Sequence, residues 1–451
     1  MSADAWTWVE RLQRFGVHPG LARTRALFAA LGDPQDAFEV ALVAGTNGKG
    51  STVALLDAML RADAARAAVG APGSGHGRVG RFVSPHLTRF AERFMVDGRP
   101  LPDAALEAAL REVRPHAEGL GATFFEVLVA VAALAFARAG VGRAVLEVGM
   151  GGRLDATNAS EPTLSVITQV ALDHEAVLGP DVATIAGEKA GVLRAGRPAV
   201  TSAEGAALGV VRRRAAELGS ELTVVDEVGA ELRALGWGGV EVRGLGPAPI
   251  RAPLLGAHQA RNLAAAALAA RAWGAGWDAV AAGAAAVAWP GRLEAIEAGG
   301  CRWLLDAAHN PAGVHALATA LDALHARPRV ALVGVTEDRL GGDLPAALAR
   351  LAPALVVTRA SRSPRAASAA RLAERLREAG AGRVEPFGEP LLALPAATEM
   401  ALAAAAAEAA AAEAGAAAEP PTVVVAGSLY LVGEVRALLR GERPEDFERW
   451  Q

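Results

Sequence analysis

Residues 40–52 read Val40-Ala41-Leu42-Val43-Ala44-Gly45-Thr46-Asn47-Gly48-Lys49-Gly50-Ser51-Thr52. A short apolar run leads into a glycine-rich loop, and residues 53–65 continue with the spacing and composition of a helix. In such a loop the glycine amides can approach a phosphate chain, the helix start adds a positive field, and Lys49 adds a point charge. The segment predicts a strand, a phosphate-binding loop and a helix.

The loop departs from the strict Walker A spacing, in which the lysine is followed directly by Ser or Thr. Gly50 stands between Lys49 and Ser51. An ordinary glycine-rich turn is the simpler alternative. Lys49 is the only lysine in the first 188 residues, which favours an ATP site.

The composition excludes several classes of protein. Of the 451 residues 52% are hydrophobic and 21% are charged, which is too apolar for a largely disordered chain. The length suggests roughly two or three domains. The net charge of -4 provides no global positive field for nucleic acid or an anionic membrane. The single cysteine, Cys301, cannot form an intrachain disulfide and residues 1–10 lack a signal-peptide pattern, so we expect a cytoplasmic protein.

Residues 401–419 are the one segment long and apolar enough to suggest a membrane span. They are nearly all alanine, are interrupted by Glu408, Glu413 and Gly415, and end at Pro420-Pro421. We interpret them as a helix of a soluble protein and expect no membrane partner.

Lysine and asparagine are rare in a chain dominated by Ala, Gly, Leu, Val and Arg. The lysines are Lys49 and Lys189, and the asparagines are Asn47, Asn158, Asn262 and Asn310. An ammonium can lose its proton and a carboxamide can donate and accept at once, which a guanidinium cannot do. These residues are therefore candidates for function, with chance retention as the alternative.

Strand-like and helical segments alternate along the chain, which predicts parallel sheets covered by helices on both faces. Between them, residues 222–250 form short β-like runs. Pro290 and Gly291 mark the junction, so we expect domains at 1–291 and 299–451 with a hinge at 292–298. The candidate strands are 40–44, 144–148, 164–169, 199–202, 303–306, 330–335, 355–358 and 422–426, and the candidate helices include 124–139, 181–191, 260–273, 312–325 and 366–379.

Two polar clusters follow strands of the first domain, at the sheet edge where ligands bind. Glu147 comes near the end of one strand, and His174 lies between Asp173 and Glu175 after the next. With Lys189 nearby in sequence, such groups can hold Mg²⁺ by oxygen while phosphates complete its shell. Solvated loop charges are the alternative.

A third cluster, Asp306 with His309 and Asn310, follows a strand of the second domain. Asn262 and Arg292 are further polar candidates near the junction. A site between two domains explains why polar residues are spread over both. A helix-capping turn is the alternative for His309 and Asn310.

Nine segments of the chain, taken in order, form a recognisable set. They are 43–51, 84–87, 147–158, 172–174, 188–191, 290–292, 306–311, 427–430 and 433–435. Together these segments resemble the folylpolyglutamate synthase/dihydrofolate synthase family of the Mur ligase superfamily. The resemblance implies an α/β fold in which a P-loop parallel-sheet ATPase domain precedes a smaller Rossmann-like α/β domain. In the second domain the usual Asp-Lys-Asp run reads Asp338-Arg339-Leu340.

The resemblance implies an ATP-dependent carboxylate-amine ligase. The substrate carboxylate attacks the γ-phosphate, and the amine of L-glutamate then displaces phosphate from the acyl phosphate. The implied acceptor is dihydropteroate, a reduced folate or both, and the implied cofactors are two Mg²⁺ ions and CO₂ held as a lysine carbamate, with ATP as co-substrate. We expect no nucleic-acid partner and a monomer.

The resemblance also implies roles for single residues. Lys49, Lys189 and His174 are the implied catalytic residues, and Lys189 is the carbamylated one, because only an amine that can deprotonate adds CO₂. Ser84 and Glu147 would hold one metal ion, and His174 with Lys189 a second. ATP would contact Thr46, Asn47, Gly48, Lys49, Gly50, Ser51, Asn262, Arg292 and Asp306; the pterin would lie near Arg23, Thr123, Phe124, Phe125 and Asp155; His309 and Asn310 would lie on the glutamate side.

Two other functions stay open on the sequence. One is a Mur-type amide ligase that acts on a different carboxylate. The other is a P-loop ATPase that makes no amide bond, which would leave Lys189 and the segment 306–311 without a use.

Overall fold

The computed structural model describes residues 8–9, 11–12, 19–70, 77–411 and 419–442. Residues 1–7 of the segment tested for a signal peptide, and residues 412–418 of the alanine tract, lie outside the described residues. Two α/β domains follow one another along the chain, which confirms the predicted fold class.

The first domain is built on a sheet whose six inner strands are parallel and whose β3 and β4 pair antiparallel at one edge. The strand order is β4-β3-β2-β5-β1-β6-β7-β8. The strands are β1 (Glu39–Ala44), β2 (Arg78–Phe82), β3 (Phe94–Val96), β4 (Arg99–Pro100), β5 (Val141–Glu147), β6 (Leu164–Ile167), β7 (Pro198–Thr201) and β8 (Glu221–Val224).

Both faces of this sheet are buried. Along β1, Val40 and Leu42 pack into one core while Ala41 and Val43 pack into the other, because successive side chains of a strand point to opposite faces. A strand buried on both sides therefore appears as a continuous apolar run. The covering helices are α1 (Ala22–Ala30), α2 (Lys49–Gly70), α3 (Asp103–Leu120), α4 (Phe124–Arg138), α5 (Glu175–Leu178), α6 (Val182–Ala190), α7 (Gly205–Leu218), α8 (Ala257–Ala272) and α9 (Trp277–Ala285).

Of the β-like runs predicted at 222–250, the first belongs to β8 of the large sheet, and the others form a small antiparallel sheet of three strands beside α8. Its strands are β9 (Glu231–Ala234), β10 (Val240–Arg243) and β11 (Ile250–Ala252).

The second domain has a six-stranded sheet in the order β12-β13-β17-β14-β15-β16, parallel except for β12. Its strands are β12 (Arg292–Ala298), β13 (Cys301–Asp306), β14 (Pro328–Val333), β15 (Ala354–Val357), β16 (Arg383–Pro386) and β17 (Thr422–Ala426). Its helices are α10 (Pro311–Ala323), α11 (Leu344–Leu348), α12 (Ala369–Glu378), α13 (Pro390–Ala411) and α14 (Leu429–Leu439).

The segment 292–298, expected as a hinge and not among the predicted strands, forms strand β12. Arg292 pairs with Asp306, and the register shifts between Arg292 and Glu294. Leu293 takes up the shift with a φ of 51°. The sequence of this segment is Arg292-Leu293-Glu294-Ala295-Ile296-Glu297-Ala298, in which polar and apolar residues alternate only weakly. This weak pattern concealed an edge strand, which pairs on one side only.

Helix α13 includes residues 401–411 of the expected alanine-rich helix and begins eleven residues before that segment. Over Pro390–Ala410 it is long and apolar enough to cross a membrane by length and composition, with 22% of the window buried. Its Ala393, Ala397 and Ala401 are fully buried against the second sheet. The apolar stripe therefore has a packing partner within the domain.

Helices α2 and α9 approach each other so closely that glycine is required at the contact. A Cβ on Gly283 would lie 2.4 Å from Cα of Met59 and 2.5 Å from the carbonyl oxygen of Ala58, which are backbone atoms that cannot turn aside. Helix α2 begins at the glycine-rich loop, so this contact supports the element that carries the loop.

We predict that Gly283→Ala destabilises the protein by about 1–3 kcal/mol, because an extra methyl in a packed contact forces the helices apart. Urea or thermal unfolding measures the change. Gly209→Ala in helix α7 is the control, since its Cβ would meet only Nη1 of Arg213, at 3.8 Å. Equal stability of the two variants would contradict the close approach.

Candidate active site

A cavity of about 500 Å³ lies between the two domains, and its walls come from both. The first domain contributes the glycine-rich loop and the ends of β5 and β6. The second contributes the ends of β13, β14 and β17 with the turns that follow them. Carboxyl ends of parallel strands from two sheets therefore face one space, where α/β proteins bind ligands.

Three glycines of the loop are each packed against a different part of the chain. A Cβ on Gly45 would lie 1.8 Å from Oγ1 of Thr168, and a Cβ on Gly48 would lie 2.4 Å from Oδ1 of Asn262. A Cβ on Gly50 would lie 2.8 Å from Cζ2 of Trp289. The Trp289 ring therefore leaves no room for a side chain at position 50, which explains the glycine that breaks the Walker A spacing.

The two lysines of the chain meet at one atom. Nζ of Lys49 donates to the carbonyl oxygen of Gly45 at 3.1 Å, and Nζ of Lys189 donates to the same oxygen at 2.8 Å. Burial and the neighbouring charge of Lys49 lower the pKa of Lys189 to about 7. A substantial share of Lys189 is therefore an uncharged amine at neutral pH, a state closed to arginine.

Glu147 ends β5 beside the loop and is buried. Burial raises the pKa of its carboxyl, while Lys49 and Arg292 act to lower it. Its Oε2 accepts a hydrogen bond from the backbone N–H of Ser84 at 3.3 Å. Within the described part of the chain no three His, Cys, Asp or Glu side chains form a metal cluster. A carboxylate and a hydroxyl beside a phosphate loop nonetheless fit Mg²⁺, which keeps water and phosphate ligands.

His174 lines the cavity at the start of the short helix α5, with a φ of 52°. Burial lowers its pKa, against the raising effect of the Asp173 carboxylate. Burial also acts to raise the pKa of Asp173, but the charges of His174 and Arg339 outweigh it and bring that pKa to about 2. Arg339 is the lasting partner, because it stays protonated at every relevant pH.

The antiparallel register of β12 and β13 sets Arg292 opposite Asp306, and both line the cavity. The Asp306 carboxylate accepts from the backbone N–H groups of Leu293 and Ala308, each at 2.9 Å. Burial raises its pKa. Asp306 thus organises the strand junction from the edge of the cavity.

His309 and Asn310 stand at the start of α10. Burial lowers the pKa of His309 to about 4, so its ring is neutral at physiological pH. Oδ1 of Asn310 accepts from the N–H of Gly313 at 2.7 Å, so the capping interpretation holds for it. The same side chain also reaches the first domain, where its Nδ2 donates to Oδ1 of Asn47 at 3.1 Å.

Of the five residues expected near the pterin, Phe125 lies against the loop 149–155 and Asp155 belongs to it, and none of these five described residues lines the cavity itself. A Cβ on Gly149 would lie 2.6 Å from Cζ of Phe125. Asp155 accepts from the N–H of Met150 at 2.9 Å. Thr123 caps α4 together with Glu126, Nε of Arg23 donates to Glu126 at 3.0 Å, and Phe124 lies 5.7 Å from the Arg93 guanidinium.

Sequence reasoning missed Arg339, which lines the cavity and pairs with Asp173 at 2.6 Å. The turn that carries it follows β14, a parallel strand, so the rule that identified Glu147 and Asp306 could have identified Arg339 as well. Asn158, in contrast, is structural: its Nδ2 donates to the carbonyls of Arg153 and Gly191, at 3.1 Å each, and ties the loop after β5 to the end of α6.

Residues 291–429 match a family model described as Mur ligase, glutamate ligase domain. The chain is 38% identical over 451 residues to the probable bifunctional folylpolyglutamate synthase/dihydropteroate synthase of Haloferax volcanii, with 96% of this chain and 50% of that protein covered. It therefore spans about half the length of that relative, and the same holds for a similar protein of Halobacterium salinarum, of which it covers 51%.

The dihydrofolate synthase/folylpolyglutamate synthase of Mycobacterium tuberculosis is 36% identical over 386 residues, which cover 78% of this chain and 76% of that protein. The structure of the Mycobacterium tuberculosis folylpolyglutamate synthase complexed with ADP and AMPPCP is similar to the present fold with a TM-score of 0.84 and 34% identity. The alignment covers 98% of this chain and 99% of that one. By sequence and by fold, the chain belongs to the folylpolyglutamate synthase/dihydrofolate synthase family.

Proposed function

We propose that the protein is an ATP-dependent ligase that joins L-glutamate to a carboxylate of dihydropteroate, of a reduced folate, or of both. The observation that carries this proposal is the cavity itself. Its walls combine a phosphate-binding loop that meets both lysines with the domain that matches the glutamate ligase model. The reaction would pass through an acyl phosphate, with ADP and phosphate as products.

The loop residues Thr46 to Ser51 would wrap the triphosphate, with their backbone N–H groups directed at its oxygens. Lys49 would neutralise the charge that develops as the γ-phosphoryl group moves to the carboxylate. Asn262 packs directly on the loop at Gly48, and Arg292 lines the cavity opposite Asp306 in the strand pair. These three would contact ATP from α8 and the second domain.

Ser84 and Glu147 would hold a Mg²⁺ ion through oxygen, and His174 with a carbamate on Lys189 would hold a second. Such ions would offset the negative charge of the phosphates during transfer. Lys189 suits this role because its lowered pKa leaves neutral amine available for CO₂. Its position against Gly45 would bring the resulting anion to the loop.

The pterin would bind near Arg23, Thr123, Phe124, Phe125 and Asp155. The contact between Phe125 and Gly149 supports this location, because Gly149 lies in the segment that joins these residues to the cavity wall. His309 and Asn310 would face the glutamate side from the second domain.

Labelled glutamate tests the proposal directly. Purified protein with ATP and Mg²⁺ should incorporate it when dihydropteroate or tetrahydrofolate is offered in separate reactions. Incorporation with both identifies a bifunctional enzyme, and incorporation with one assigns the activity. ATP turnover with no incorporation from either acceptor would contradict the proposal and favour a Mur-type ligase for another carboxylate.

Lys189→Ala should reduce ligation at least about 100-fold while much of the AMPPNP binding, measured by calorimetry, is kept. The variant loses one hydrogen bond to Gly45, but Lys49 and the loop N–H groups remain. Lys189→Arg should fail as well, since a guanidinium does not capture CO₂. Wild-type turnover by Lys189→Ala would remove the carbamate role. An active Lys189→Arg variant would show that charge alone suffices.

Gly50→Ala should weaken AMPPNP binding by about 10-fold or more, because the new Cβ meets the rigid Trp289 ring and displaces the loop. The double variant Gly50→Ala/Trp289→Leu should recover part of the loss. Gly341→Ala is the control, since a Cβ there meets nothing within 4 Å. Normal binding by the single variant would contradict the packing argument.

A further inference from the structure

The carboxylate of Asp173 holds two side chains of the second domain. Its Oδ1 lies 2.6 Å from Nη2 of Arg339. Its Oδ2 accepts from Nδ2 of Asn310 at 3.4 Å. One carboxylate of the first domain therefore binds a guanidinium and a carboxamide that reach it across the cavity boundary.

Asn310 extends this network to the phosphate-binding loop. Its Nδ2 also donates to Oδ1 of Asn47, and Asn47 donates in turn to Oε1 of Gln169, each at 3.1 Å. Its Oδ1 is occupied by the N–H of Gly313 at the start of α10. The two polar atoms of the Asn310 carboxamide therefore have different partners. The oxygen caps helix α10, and the nitrogen donates hydrogen bonds to the first domain.

The Asp173 to Arg339 pair is sheltered from solvent. The side chain of Asp173 is 8% exposed and that of Arg339 is 18% exposed. A pair in this setting is screened far less than a surface pair, and loss of one partner leaves the other charge poorly solvated. The contact can therefore affect the arrangement of the domains, which an exposed pair would not do.

Both ends of the network lie next to groups assigned to the reaction. Asn47 belongs to the phosphate-binding loop, and Asp173 is adjacent in sequence to His174. A shift of the second domain would move the contacts of both segments at once. Because effective catalysis requires reacting groups to be held within a fraction of an ångström, such a shift would act on rate.

We propose that Arg339 and Asn310 are positioning residues, which hold the second domain against the first through Asp173 and so fix the phosphate-binding loop and the His174 turn for ligation. The inference rests on the proposed ligase function. It assigns a use to Arg339, which the proposed function leaves without a role. A guanidinium can donate from several nitrogens at fixed geometry, which suits a link that must fix direction as well as charge.

The kinetic test uses the whole 451-residue chain and three substitutions. Arg339→Gln removes the charge, and Asn310→Asp keeps a good helix cap while it replaces the donor with a carboxylate facing Asp173. Both should lower kcat for glutamate incorporation about 10- to 100-fold and change KM for ATP less than about threefold. Arg339→Lys should recover part of the rate, because it restores charge with poorer geometry.

Arg371→Gln is the matched control. Arg371 pairs with Glu337 inside the second domain, on the solvent-exposed side of α12, and does not reach the first domain. Arg371→Gln also removes an ion pair made by an arginine, so it measures how far the loss of any such pair affects the kinetics. The Arg371→Gln variant should leave kcat and the KM for ATP unchanged.

A second readout does not depend on amide formation. Spin labels at Ala104→Cys in α3 and Glu374→Cys in α12, both exposed, report the distance between the domains, while the native Cys301 is buried. With Mg²⁺ and AMPPNP, Arg339→Gln and Asn310→Asp should broaden the distance distribution toward longer values. Arg371→Gln should not.

The two readouts separate failure of this inference from failure of the proposed function. Unchanged distances, or a kcat within about twofold of wild type, would overturn the positioning role. A rise in KM for ATP with unchanged kcat would overturn it too, since it would make Arg339 a nucleotide ligand. Altered distances in a protein that ligates no glutamate would uphold the contact between the domains and reject the ligase.

Discussion

The packing of the glycine-rich loop is the constraint on which the rest of the site depends. At Gly45, Gly48 and Gly50 the loop backbone touches the end of β6, helix α8 and the tryptophan before β12, with no space for a side chain. Three distant parts of the chain are therefore referenced to one short stretch of backbone. Because the carbonyl of Gly45 also accepts hydrogen bonds from both lysines, a shift of the loop would move Lys49 and Lys189 together.

The junction between the domains transmits this arrangement to the second sheet. Strand β12 pairs with β13 so that Arg292 faces Asp306, and a bulge at Leu293 absorbs the mismatch. Glu294 then accepts from Arg436 of α14 at 2.8 Å and from the N–H of Gly291 at 2.9 Å. The segment that the sequence predicted as a linker is thereby anchored to β13 and to α14. Asn310 and Arg339 complete the contact between the domains on the far side of the cavity.

Much of the fold followed from local patterns. Strands buried on both faces are continuous apolar runs, which are easy to recognise in a sequence. The ends of β1, β6 and β17 were therefore predicted to within two residues. The edge strand β12 was missed because most of its side chains are partly or fully exposed, so its sequence lacks the continuous apolar run of a central strand. Among site residues, the rarity of lysine identified Lys49 and Lys189 without any structure, whereas Arg339 was noted in the Asp338-Arg339-Leu340 run but was not predicted as a site residue.

The sequence by itself determined the α/β class, the strand-loop-helix unit, the family, and the chemical types that could serve ATP and metal, because these depend on residue identity and short-range spacing. Only the tertiary structure decided which groups meet. Lys49 and Lys189 are 140 positions apart and share one carbonyl, and Asn310 reaches Asn47 from another domain. Such contacts depend on strand register and on the approach of two separately folded sheets, which no local pattern encodes.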